Sequence, residues 1–152
     1  MSSKPQAPPW GLVWDASLSV GVPEIDLEHQ VFIHLVNELN EGIITRLSKQ
    51  EIIKRLEALL LDATQHFAHE EALFELWRYP RALEHTQEHR EILGALNNIS
   101  KRFQQDCSEY ELIESGLDVK AALIEHLLSE DMKYRNYGGQ MNVKPCVPEP
   151  VP

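Results

Sequence analysis

Five histidines and one glutamate, His29, His66, Glu70, His85, His89 and His126, fall at positions where a helical bundle would bury leucine or isoleucine. An unpaired carboxylate at such a position costs several kcal/mol, so Glu70 needs a metal, a partner or a shifted pKa. A single histidine on an apolar face is ordinarily a core residue with a hydrogen-bond partner. Five, joined by a glutamate and spread over four segments, point to metal binding. His66 to Glu70 and His85 to His89 are i,i+4 pairs, separated on a helix by about 40° and one turn, so each pair can chelate. Imidazole with carboxylate suits iron, manganese, copper or zinc, whereas calcium and magnesium prefer oxygen shells. The set exceeds what one tetrahedral zinc needs, and a bridging carboxylate would let two cations share it. No His-Glu-x-x-His occurs, and no Glu-x-x-His precedes any of the seven histidines. The first absence excludes a zincin and the second moves the reading from a carboxylate-rich di-iron site toward a histidine-rich one.

Four segments of helical periodicity must position these side chains. The first runs Ile25, His29, Phe32, Val36, Leu39 and Ile43, with Pro23 suited to its opening turn. In the second, Ser48 and Glu51 read as a capping box ahead of Leu56, Leu59, Ala63, His66, Glu70, Leu73 and Trp77. The third carries Ala82, His85, His89, Ile92, Leu96, Ile99 and Phe103 on one stripe. The fourth opens on Ser108 and Glu111, a second capping box, and continues Leu112, Gly116, Val119, Leu123, His126 and Glu130. Gly116 weakens it by about 1 kcal/mol relative to alanine, enough to invite a kink. Short connections make an all-α, up-down-up-down antiparallel four-helix bundle the natural fold. Residues 1–22 read as an extended arm anchored by Trp10 and Trp14, 23–137 as the bundle, and 138–152 as a mobile proline-rich tail.

With 152 residues and 43% hydrophobic content, the chain suits one domain. The formal charge of −10 argues against nucleic-acid or anionic-membrane partners. No signal-peptide core or membrane-length run occurs, so a cytoplasmic monomer is expected. Cys107 and Cys146 show neither disulfide nor metal-knuckle spacing and are assigned no function.

The chain closely resembles the hemerythrin family, especially single-domain bacterial hemerythrins, over residues 12 to 137. The matching pieces are Trp14-Asp15-x-Ser17, Gly21, Ile25-Asp26-x-x-His29, His66-Phe67-x-x-Glu70-Glu71, Tyr79-Pro80 with His85-x-x-x-His89, and His126-x-x-x-x-Asp131-x-x-Tyr134. The resemblance implies two iron ions with an oxo or hydroxo bridge. His85, His89 and His126 would hold one iron, His29 and His66 the other, with Glu70 and Asp131 bridging. The open position on the second iron is where the family binds dioxygen. Spacing alone favours Glu130, since Asp131 at i,i+5 lies about 140° round from His126. A π-type turn between His126 and Asp131 would reconcile the two.

Phe67, Leu123 and Leu127 flank donors and resemble family pocket residues, with Phe32 one turn from His29 as a further candidate for the dioxygen pocket, though ordinary core packing would place them equally well. Ala122 stands where the family often has tryptophan, and this smaller side chain is expected to open a route to the site. His34 and His69 fall outside the pattern; His69 lies within reach of nearby carboxylates. Asp26 reads equally as support for a donor or as part of the first helical turn. The expected function is reversible dioxygen binding for storage, delivery or sensing, without turnover. The alternatives are a di-iron redox enzyme acting on peroxide, dioxygen or nitric oxide, and a bundle whose metals serve only stability.

Overall fold

A computed structural model describes residues 11–135. A short 3-10 turn, Ala16–Leu18, precedes α1 (Pro23–Ile44), α2 (Lys49–Trp77), α3 (Ala82–Phe103), α4 (Glu109–Leu128) and the four-residue α5 (Glu130–Lys133). Helix α1 packs against α2 and α4, and α3 packs against the same two, so the four long helices form a ring in chain order. Three of the starts have a local cause. Pro23 occupies the first turn of α1, Ser48 Oγ accepts the Glu51 N–H, and Ser108 with Glu111 makes the full reciprocal capping box. Arg78, in the left-handed region at φ 54°, ends α2.

The inward stripes are those read from the sequence, with small shifts. In α2, Phe74 is buried where Leu73 was expected and Leu73 is half-buried, while Glu70 and Trp77 on either side are buried as expected. Helix α4 runs through Gly116 without interruption. A Cβ there would lie 2.7 Å from Ile43 Cδ1 and 2.9 Å from Asn40 Oδ1, so the glycine serves the close approach of α4 to α1.

The arm is anchored differently from the expectation based on tryptophan. Val20 and Val22 are fully buried, whereas Trp14 is half-buried and Trp10 lies outside the described residues. Asp26 accepts from the Val20 N–H at 2.9 Å and the Ser19 hydroxyl at 2.5 Å, so it fastens the arm to α1. Asn37 exchanges two hydrogen bonds of 2.9 Å with the Leu12 backbone. The tail from 138 onward, with Cys146, lies outside the described residues, and Cys107 is half-buried.

Two apolar cores result. The larger contains Phe32, Val36, Leu39, Leu56, Leu59, Phe67, Leu96, Phe103, Val119 and Leu123. The smaller, at the end where the arm enters, contains Val20, Val22, Ile25, Phe74, Trp77, Tyr79 and Tyr134. The histidines lie between them: the His89 ring stacks on Phe67 of the first at 3.9 Å, and His85 meets Phe74 of the second at 4.6 Å.

Candidate metal centre

All five core histidines, Glu70 and Asp131 are buried, each at most 3% exposed, in one polar layer. Their donor atoms form two groups: Glu70, His85, His89, His126 and Asp131, and His29, His66, Glu70 and Asp131. The two carboxylates common to both divide their oxygens between them. Glu70 Oε1 lies 3.1 Å from His89 Nε2 and 3.7 Å from His85 Nε2, while Oε2 lies 3.6 Å from His66 Nε2 and 3.7 Å from His29 Nε2. Asp131 Oδ1 lies 2.9 Å from His85 Nε2 and 3.0 Å from His126 Nε2, and Oδ2 lies 3.1 Å from His29 Nε2.

Asp131 reaches the layer through a break, where a π-type turn was expected. Helix α4 ends at Leu128, Ser129 leaves regular geometry at φ −109° and ψ −70°, and α5 restarts at Glu130. The break takes up the excess of about 140° that i,i+5 carries on a continuous helix. Glu130 turns outward to Lys133 at 2.8 Å and Arg81 at 3.8 Å.

The donors suit a cation better than they suit one another. Glu70 Oε1, Asp131 Oδ1 and His89 Nε2 are buried without a hydrogen bond, despite neighbours near 3 Å, because their lone pairs converge on shared points. His29 and His66 oppose Nε2 to Nε2 at 3.1 Å, as do His85 and His126 at 3.2 Å. Without a cation, protons must fill these gaps. Burial alone would lower the His29 imidazole, but hydrogen bonds to Asp131 and Glu70 outweigh it and raise it to about 10. His85 rises to about 9 by the same balance. Burial likewise pushes Glu70 and Asp131 up, yet the surrounding imidazoles hold both below the usual carboxylate range.

The reverse edges of the rings are held as well. His66 Nδ1 donates to Glu28 at 2.7 Å, His89 Nδ1 to Glu71 at 2.7 Å, and His126 Nδ1 to Glu88 at 2.6 Å. His69 Nδ1 donates to the other oxygen of Glu28 at 2.6 Å, while His34 faces outward, 68% exposed. The Tyr134 hydroxyl donates a short bond to Glu70 Oε2, and burial with the nearby carboxylates keeps the phenol well above its ordinary range. Sequence reading did not give Glu28, Glu71, Glu88 and Tyr134 these roles. The available signal for the three glutamates was that each adjoins an inward-facing donor in sequence.

Phe32 and Phe67 stand at 5.6 and 5.8 Å from the His66 ring, and Leu123 and Leu127 are buried on α4. Ala122 is half-buried.

The ring of helices and its paired donor groups define a four-helix bundle able to hold cations in its core. Residues 20–136 match the family model described as Hemerythrin HHE cation binding domain, and the chain belongs to that family. Myohemerythrin-1 of Phascolopsis gouldii is 26% identical over 123 residues, covering 81% of this chain and 91% of that protein. Bacteriohemerythrin of Stenotrophomonas maltophilia (strain R551-3) is 26% identical over 125 residues, covering 81% and 78%. A crystal structure of wild-type hemerythrin superposes with a TM-score of 0.74 at 23% identity, over 84% of this chain and 98% of the other, a likeness of fold.

Proposed function

We propose that this chain binds dioxygen reversibly at a pair of iron ions, as a binding protein and not as an enzyme. His85, His89 and His126 would hold one iron and His29 with His66 the other, bridged by Glu70 and Asp131. The observation that carries this reading is the division of both carboxylates, one oxygen toward each histidine group. A ferrous pair supplies reducing electrons and an unfilled coordination position for dioxygen. The position of His29 and His66 has fewer protein donors, four residues against five, and so would be the one with room for dioxygen.

The remaining work falls to the protein. Glu28, Glu71 and Glu88 fix the tautomers of His66, His89 and His126 so that each Nε2 lone pair faces inward. Phe32, Phe67, Leu123 and Leu127 line the layer with apolar surface and keep water from it. Tyr134 holds its hydroxyl proton against Glu70 Oε2.

The test is the visible spectrum of iron-loaded, dithionite-reduced and desalted protein before air, after air and after removal of oxygen. A charge-transfer band that appears with dioxygen and vanishes on its removal is the expected result. Immediate conversion to a stable oxidised form without that band would replace this reading with a redox enzyme.

A further inference from the structure

The carboxylates behind the histidines follow an order that a donor set alone does not require. Glu28 of α1 accepts from His66 of α2, Glu71 of α2 from His89 of α3, and Glu88 of α3 from His126 of α4. Each adjoins an inward-facing donor of its own helix: His29, Glu70 and His89 respectively. Adjacent residues differ by about 100° round a helix. A helix that points one donor at the core therefore points the neighbouring carboxylate sideways, at the next helix. The order stops at α4. Glu125, which precedes His126, is exposed, and the buried Nδ1 of His29 has no hydrogen-bond partner.

Resting on the two-iron reading above, we infer that Glu28, Glu71 and Glu88 are positioning residues, each acting on one metal position. Glu28 acts on the position of His29 and His66, whereas Glu71 and Glu88 act on that of His85, His89 and His126. A carboxylate on Nδ1–H fixes the tautomer and raises the basicity of Nε2, and its loss typically weakens metal binding about 10–100-fold. The three-histidine position has two imidazoles supported in this way. The two-histidine position has one, and its carboxylate also serves His69, so this position is the weaker and empties first.

Titration of metal-free protein with Co(II), followed by ligand-field absorption, separates the positions. Wild type takes up two ions in two steps, and His29→Ala removes the weaker. Glu28→Gln weakens the weaker step about 10–100-fold and spares the tighter, while Glu71→Gln or Glu88→Gln does the reverse. His69→Ala, at a half-exposed position, leaves Glu28 to His66 alone and shifts the weaker step the opposite way, toward tighter binding, by a smaller factor, and carries the test if Glu28→Gln does not fold by circular dichroism. The inference is overturned if these variants weaken both steps equally, if they change neither, or if His29→Ala removes the tighter step. Uptake of at most one Co(II) by wild type would overturn the two-iron reading together with it.

Discussion

Glu70 is fully buried, faces a histidine group with each oxygen, and accepts the Tyr134 hydroxyl on Oε2. Tyr134→Phe leaves that acceptor short of a donor in a site water does not reach. The metal-free variant should be about 1–3 kcal/mol less stable in urea denaturation, and an unchanged midpoint would show that the bond carries no net weight. The imidazoles make a second prediction, for metal-free protein against pH. His29 and His85 have pKa values raised to about 10 and about 9, so their stabilisation is complete below the unfolded value near 6.5. It is lost as pH rises from there through 9 to 10. Asp131 is depressed, so its contribution is complete above about 3.9 and is lost as pH falls below that. Metal-free protein should therefore be most stable between about pH 4 and 6.5, and a thermal-melt series that instead climbs toward pH 9 would contradict this charge arrangement.

At the scale of elements, the break between α4 and α5 decides which carboxylate reaches the layer. Glu130→Ala removes only partly exposed ion pairs to Lys133 and Arg81, costing at most about 1 kcal/mol, and should leave the bound metal content unchanged. Asp131→Ala removes an oxygen from each donor group and should reduce bound metal, measured by elemental analysis after desalting. Equal metal content in the two variants would sink the assignment. This is also where sequence reading ran short. Periodicity located the helices and the inward stripes because burial imposes a 3.6-residue repeat, and that repeat put His29, His66, Glu70, His85, His89 and His126 in the core. The same repeat favoured Glu130, and only the likeness to a known family pointed to Asp131. A break at Ser129 leaves no signature in hydrophobic spacing, and the sideways Glu28, Glu71 and Glu88 look like ordinary surface glutamates until the neighbouring helix is in place.

For the whole molecule, the polar layer is a cost carried by two apolar cores, one on either side. Bound cations would replace the protons that now separate those buried groups, so loading should release protons and raise stability. Free metal at 100 times its dissociation constant adds about 2.7 kcal/mol per site. Iron-loaded protein should melt well above the metal-free form, and a chelator should reverse the difference; coincident melting curves would mean that the layer does not bind iron in solution. Among the described residues no helix is long and apolar enough to cross a membrane. The break at Ser129 has a last consequence, in the order of synthesis. Asp131 and Tyr134 leave the ribosome after every other member of the layer, and chains fold from the N-terminal side as they emerge. His29, His66, Glu70, His85 and His89 can thus gather while one of the two carboxylates common to both donor groups is still missing. An ion meeting the chain at that stage would lack one of the carboxylates common to both donor groups, so the layer is complete only when the last short helix has formed.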